Sequence, residues 1–565
     1  MEPILKTLER AGGRSLYICF PPGPARSMKR TSALIVLRDH GGVESIKDLL
    51  GAGGTARLCE EWQVILAFPN PIGGRWNWTL TPSLPDDIAF LEHIQNELDS
   101  PAESVPFSMA LAASSNPLKG ERFYKLWHPM ADVRYIAGMG TGASMACALA
   151  ALRPRLTAAV FAENGTLSPA ARAAATGAPV PAFLLNCPQE TAEYFLRANG
   201  ATKQIGANEY CNPLNPCQRV FLADTEMNTP LPVAYDALMR HVRQVNTSVH
   251  GDAEPRLLPG ADDGFTPYAD DDSLADGLRH TWLVHVPKSV REHPDVRVPL
   301  MVFFHGASDN PLEAADMTKF HMLGERDGFV TVYPWSANRM TWNSNMVPDE
   351  PDDDAYAVAL IRDMIHRYPI DSERVYLSGF SNGAAQAHAV AMCHPDLIAA
   401  ICPIDANWPG TRMGVTDITW RDVAPMRIGM EKKQEFDYRM PVWYTYGGRE
   451  ISYPVYNGST QQKQYDFWKM YNNIPIKPTP PKENPHPCGC GAPGDIYERL
   501  TPSAAHPEHA YDVHRFLSAD ADRPNLNNYV VMPGKGHEIA PTDAELGWRY
   551  VRQFRRRADG SLDRA

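Results

Sequence analysis

Short apolar runs separated by helical stretches recur along the 565 residues, and they recur twice in the same order. Residues 14–21 and 279–287 each alternate apolar and polar positions and close on proline, the pattern of a half-buried strand. Next come the apolar residues 33–37 followed by His40-Gly41-Gly42, and 299–304 followed by His305-Gly306-Ala307. Helical stretches lead to strands at 62–68 and 328–333, each followed by proline, a polar loop and the pairs Trp76-Asn77 and Trp342-Asn343. Asp86-Asp87 and Asp353-Asp354 then open amphipathic helices, and strand–turn–helix units follow at 133–142 and 374–383. Residues 181–190 match 441–450, and 240–245 match 549–554. The offset falls from 266 at the Trp-Asn pairs to 241 at Gly138 and Gly379, which places about 25 extra residues around 101–125 of the first copy.

Such self-similarity predicts a tandem duplication: a first copy over 1–245, a second over 277–565, and between them a linker, 246–276, rich in Asp, Gly and Pro. The Asp270-Asp271-Asp272 run lacks the ligand spacing and turn glycine of a calcium loop. Strands alternating with helices predict an α/β fold, each copy a mostly parallel sheet flanked by helices, with ligands at the carboxyl ends of the strands. A length of 565 residues accommodates two such units.

Composition changes the picture only by exclusion. With 54 Lys and Arg against 66 Asp and Glu, the net charge of −12 is the reverse of a phosphate-binding surface, so neither nucleic acid nor an anionic membrane is expected as a partner. The amino terminus carries Glu2 and Glu9 in place of a basic start and apolar core, so no secretory signal is visible and a cytoplasmic location is expected. Ten cysteines are too few for a disulfide scaffold, and several lie in apolar runs, as Cys147 does.

Chemistry concentrates in the second copy. Gly379-Phe380-Ser381-Asn382-Gly383 lies between a strand and an alanine-rich helix, the setting of a nucleophile elbow, in which flanking glycines let strand and helix approach. The bare pattern is expected by chance about 0.2 times in such a chain, so its placement carries the assignment. A serine hydroxyl needs a base, and His537, in the loop between the last strand and the closing helix, is the candidate. The orienting acid should follow the preceding strand, where Glu450 stands a few residues past residues 442–446; Asp405, also just after an apolar strand, is the rival. Backbone N–H groups of Asn382 and Ala307 are the candidate oxyanion donors, and His305 is read as structural.

These motifs, with the apolar strand ending in His305-Gly306, Asp353-Asp354-Ala-Tyr and Gly536-His537, resemble the polyhydroxybutyrate depolymerase and feruloyl esterase-like family of α/β-hydrolases, over about 279–556. The resemblance implies two tandem α/β-hydrolase domains. It implies a serine carboxylic ester hydrolase, working without a cofactor through an acyl-enzyme on short hydroxybutyrate-type polyesters or hydroxycinnamoyl and aryl esters. By position, Ser381 resembles the nucleophile, His537 the base and Glu450 the acid. Glutamate in place of aspartate at the acid and Ala384 after the elbow depart from the family pattern. A prolyl-peptidase-like or thioester hydrolase is the alternative enzyme, and a non-catalytic binding or scaffold protein the alternative of another class.

An insertion at about 455–528 is expected to overhang the site as a lid; its Phe467, Trp468 and Tyr471 have helical spacing that suits either substrate stacking or core packing. Cys488 and Cys490 with His486 leave a fourth metal ligand unaccounted for, so no metal is expected. In the first copy Gly140 stands at the nucleophile position and Asn228 at the base position, leaving only Glu190. That copy is expected to be non-catalytic, a docking or dimerising domain through which the chain could form a homo-oligomer.

Overall fold

The computed structural model describes residues 4–8, 13–22, 31–39, 42–51, 54–97, 105–106, 123–124, 131–224, 227–260, 262–274, 277–406, 408–410, 419–450, 453–502 and 509–564. The chain divides into two compact units, one ending at Leu258 and the other beginning at Pro259. The extra stretch around 101–125 lies largely outside the described residues.

The sheet of the first unit is built from ten strands: β1 Ile4–Leu8, β2 Arg14–Cys19, β3 Ser32–Leu37, β4 Val64–Pro69, β5 Arg134–Met139, β6 Ala159–Glu163, β7 Ala182–Leu185, β8 Lys203–Gly206, β9 Glu209–Cys211 and β10 Arg219–Ala223. The second unit has ten more: β11 Phe265–Asp271, β12 His280–His285, β13 Val298–Phe304, β14 Val330–Trp335, β15 Ile370–Gly379, β16 Ala400–Ile401, β17 Val442–Gly447, β18 Ile496–Leu500, β19 Tyr511–Leu517 and β20 Asn525–Met532. The spatial orders are β1-β2-β4-β3-β5-β6-β7-β10-β9-β8 and β11-β12-β14-β13-β15-β16-β17-β20-β19-β18, identical position by position. In each sheet the six central strands are parallel and two strands at either edge are antiparallel. The chain is thus an α/β protein with two mixed, mostly parallel sheets flanked by helices.

The central strands β3 and β13 are buried at every position, as a sheet covered on both faces requires. Strand pairing also fixes the correspondence between the units. Leu37 lies opposite Gly138 and Phe304 opposite Gly379, so Arg38 corresponds to His305 and Asp39 to Gly306. The sequence pairing of His40 with His305 is therefore shifted by two; His40 itself lies outside the described residues. Likewise Asp87 accepts from Asn77 N–H at 2.6 Å and Asp353 from Asn343 N–H at 2.8 Å, which aligns Asp87, not Asp86, with Asp353.

Two expected irregular stretches are ordered differently. Within the expected linker 246–276, Asp252–Pro255 pairs with Val242–Val245 as a hairpin, and Phe265–Asp271 is the edge strand β11. Hydrogen-bonded ladders hold these residues despite their weak apolar periodicity. The expected lid is largely sheet and core: Thr460–Tyr471 is a helix whose Phe467, Trp468 and Tyr471 are at most 2% exposed, and β18, β19 and β20 extend the sheet. Burying four large aromatic side chains, Tyr465 included, stabilises that helix against the sheet far more than overhanging solvent would.

Candidate active site

Ser381 sits where β15 turns into the helix Asn382–Cys393, with φ 53° and ψ −115°. A non-glycine residue in this region is strained by roughly 1–3 kcal/mol, and the surroundings hold it there. Ser381 N–H donates to Ile404 O at 3.1 Å and Phe380 N–H to Phe304 O at 3.1 Å. A Cβ on Gly383 would overlap the carbonyls of Phe304 and His305, and one on Gly379 the carbonyl of Gly383, so both glycines permit contacts that no side chain allows. The half-buried serine is thereby presented at the carboxyl end of the central strand.

The loops after β17 and β20 meet beside it. Arg449 N–H donates to Lys535 O at 2.9 Å and Gly448 N–H to Met532 O at 2.9 Å. This contact brings Glu450 Oε1 into a short hydrogen bond with His537 Nδ1. The Glu450 side chain is only 8% exposed, whereas the His537 side chain is 47% exposed and its ring lies 4.7 Å, centroid to centroid, from that of Phe380. With Nδ1 engaged by the carboxylate, Nε2 is the ring nitrogen that Glu450 does not engage. Burial alone would lower the His537 pKa, but the Glu450 hydrogen bond and the charges of Asp405 and Glu450 outweigh it and raise it.

Asp405 lies in the same cluster, its carboxylate within 4.8 Å of Glu450 and His537, but its hydrogen bonds go elsewhere. Oδ1 accepts from Gly447 N–H at 2.8 Å, in the acid loop, and Oδ2 from Glu538 N–H at 3.1 Å, in the base loop. Fully buried Lys535 bridges Asp405 at 3.2 Å and Asp543 at 2.7 Å. Burial pushes the Asp405 carboxyl up, offset in part by Lys535 and His537. Asp405 thus ties the two loops together while Glu450 holds the ring. Lys535 and Asp543 escaped sequence reading because a buried ion pair has no periodic signature.

Asn382 is the first residue of its helix, so its N–H has no intrahelical acceptor. Its side-chain Oδ1 accepts from Trp342 N–H at 2.6 Å. Ala307 lies exposed in the turn after β13, beyond Gly306, whose N–H donates to Asp309 at 3.0 Å. His305 is buried: Nε2 accepts from Ser336 N–H at 3.0 Å, so Nδ1 donates to Gly306 O at 2.6 Å, and the ring braces this turn. A cavity of about 800 Å³ lined by Val290, Arg297, Arg374 and Trp548 borders the amino-terminal ends of the strands and contains none of these residues.

Residues 288–414, spanning β13 to the Asp405 turn, match the family described as esterase PHB depolymerase. A bifunctional acetylxylan esterase/xylanase of Neocallimastix patriciarum is 33% identical over 106 residues, 19% of this chain and 15% of the relative. Feruloyl esterase B of Talaromyces funiculosus is 25% identical over 123 residues, 21% and 33% of the two chains. Poly(3-hydroxyalkanoate) depolymerase C of Paucimonas lemoignei is 28% identical over 127 residues, 21% and 30%. The chain spans no more than a third of the length of these three relatives. Among solved structures, an acetyl xylan esterase from Aspergillus awamori aligns over 51% of this chain and 98% of its own, with 15% identity and a TM-score of 0.36.

The first unit repeats the strand–turn–helix elbow with glycine at its turn. Gly140 has φ 62° and ψ −135° at the start of the helix Thr141–Leu152, nearly the backbone of Ser381. Thr141, the counterpart of Asn382, donates its N–H to both carboxylate oxygens of Asp39 at 3.1 Å, and its hydroxyl to the same group. A protein carboxylate therefore accepts from the Thr141 N–H, the counterpart of the Asn382 N–H. Glu190 opens the helix Gln189–Ala198 and pairs with Arg172 at 2.8 Å, exposed to solvent. Asn228 is exposed in the loop before Pro230–Ala237, and no residue from 224 to 229 is a histidine.

Proposed function

We propose that the second unit is a serine carboxylic ester hydrolase in which Ser381 is the nucleophile, His537 the general base and Glu450 the orienting acid. The observation that carries this reading is the Glu450–His537 hydrogen bond beside a serine held in elbow geometry. The Ser381 hydroxyl attacks the ester carbonyl carbon while His537 Nε2 takes its proton, and Glu450 on Nδ1 fixes the tautomer and stabilises the imidazolium. The oxyanion is received by the N–H groups of Asn382 and Ala307. His537 then protonates the departing alcohol, and water resolves the acyl-enzyme by the same steps in reverse order.

Short hydroxybutyrate-type polyesters and hydroxycinnamoyl or aryl esters are the proposed substrates. Relatives named for feruloyl, acetylxylan and poly(3-hydroxyalkanoate) esters support this range. The test is a panel of p-nitrophenyl acetate, methyl ferulate, 3-hydroxybutyrate oligomers and a peptide amide, assayed with the full chain and with Ser381→Ala. Turnover of at least one ester class, abolished by the substitution, is the expected result; turnover of the amide alone, or activity retained in Ser381→Ala, would refute it.

A further inference from the structure

The loop after the helix Thr460–Tyr471 carries two thiols that ester hydrolysis does not use. Cys488 and Cys490 flank Gly489, whose φ of 72° turns the chain so that both sulfurs face one point, 3.3 Å apart. Strand β19 brings His514 to the same point: one ring nitrogen and both sulfurs lie within 4.8 Å of one another. This third group lies 24 residues beyond Cys490, on another element, so sequence spacing could not count it. Cys490 is 1% exposed and His514 4%, while Cys488 is half-buried and gives access to solvent. A tetrahedral zinc with sulfur at about 2.3 Å and nitrogen at about 2.0–2.1 Å sets its ligands roughly 3.5–3.8 Å apart, and the two sulfurs here stand 3.3 Å apart.

We propose that Cys488, Cys490 and His514 bind one thiophilic divalent cation of the zinc class, with water in the fourth position. Two soft sulfurs and an imidazole select such a cation over calcium or magnesium, which take oxygen ligands. A contact between the two sulfurs alone would need no histidine; a buried imidazole converging from a separate strand is what a cation adds. Among the described residues, His514 Nδ1 has only a long 3.4 Å hydrogen bond from Gly494 N–H, and the His486 ring is engaged through Nδ1 by Cys488 N–H at 3.1 Å.

The bound cation would staple a proline-rich loop to the sheet. Gly489 O accepts from Val455 N–H at 2.7 Å, and Tyr453, whose ring packs on Gly489, donates its N–H to Glu450 O at 3.1 Å. The staple therefore braces the chain that continues from Glu450, and its occupancy should raise thermal stability, because a ligand that binds only the folded state stabilises it.

The test uses the full chain, reduced and freed of metal, then titrated with Zn²⁺ and with Co²⁺. Expected are one equivalent of metal per chain by mass spectrometry, a thiolate-to-cobalt charge-transfer band and a higher Tm with Zn²⁺. Cys490→Ser and His514→Ala should lose the band and bind at least tenfold more weakly, whereas Cys187→Ser should not differ from the parent. The wild-type cobalt spectrum decides the matter even if a variant fails to fold. Absence of that band, metal binding unaffected by both substitutions, or an intact mass showing that the zinc-titrated chain holds a Cys488–Cys490 disulfide would overturn the proposal.

Discussion

Two carboxylates compete for the same histidine, and their hydrogen bonds separate their tasks. Glu450 engages the ring; Asp405 engages backbone N–H groups on both loops and the buried Lys535. Glu450→Gln should therefore lower kcat by orders of magnitude, toward the roughly 10⁴-fold seen when an orienting acid is lost, with Tm little changed. Asp405→Asn should do the opposite. It leaves a buried ammonium short of a partner, which costs about 3–5 kcal/mol, and should lower Tm strongly with a much smaller change in kcat. Thermal melts and steady-state kinetics on both variants decide this, and the reverse ranking would make Asp405 the acid. The raised His537 pKa has its own consequence. A base works only when neutral, so kcat/KM should fall on the acid side with a midpoint above the usual histidine value of about 6.5, and Glu450→Gln should move that midpoint down. A pH profile with p-nitrophenyl acetate that shows no downward move would refute the charge assignment. The placement of Ser381, His537 and Glu450 after strand ends was legible in the sequence because hydrophobic periodicity locates those strands. The Asp405 clamp was not, because it depends on which backbone donors a buried carboxylate meets.

At the scale of elements, the elbow and the helix Thr460–Tyr471 show where pattern suffices and where it fails. Strand, glycines and alanine-rich helix define the elbow locally, since close approach leaves no room for a Cβ. Gly383→Ala should destabilise the protein by about 1–3 kcal/mol, through overlap with Phe304 and His305, and displace the serine. A lower Tm together with slower fluorophosphonate labelling of Ser381 would register both effects. For the helix, aromatic spacing was compatible with a lid or a core, because periodicity gives the apolar face of a helix but not what covers it. Burial decides: Trp468 is 2% exposed, and its indole N–H donates to His388 Nδ1 at 2.9 Å. Burial also keeps the His388 ring neutral by pushing its pKa down to about 3. Trp468→Ala should then cost about 3–5 kcal/mol in stability while leaving KM for every ester unchanged. A shift in KM without loss of Tm would return this helix to the substrate wall.

At the scale of the molecule, one sheet order is used twice, and the repetition extends to single hydrogen bonds. Trp76 Nε1 donates to Arg38 O and Trp342 Nε1 to His305 O; Asn77 and Asn343 each donate twice to carbonyls four and eight residues on. This correspondence supports reading the chain as a duplication, and it corrects the two-residue slip that loops of unequal length introduced into the sequence alignment. It also shows where the first unit departs from the second: Gly140 in the place of Ser381, no histidine among residues 224–229, and Asp39 filling the donor at Thr141. We therefore expect a fluorophosphonate probe to label Ser381 and no residue of the first unit. Restoring the hydroxyl should not restore chemistry: in a Ser381→Ala background, Gly140→Ser places the new side chain against the Asp39 carboxylate, with no histidine among residues 224–229 to take its proton. Adding Asp39→Gly would open the donor at Thr141 and still supply no histidine. Both combinations should hydrolyse esters no faster than Ser381→Ala alone, as read by p-nitrophenyl acetate release and by probe adducts mapped with mass spectrometry. Turnover or an adduct at position 140 would show that the first unit holds a base outside residues 224–229 and is a dormant esterase, not an inert one.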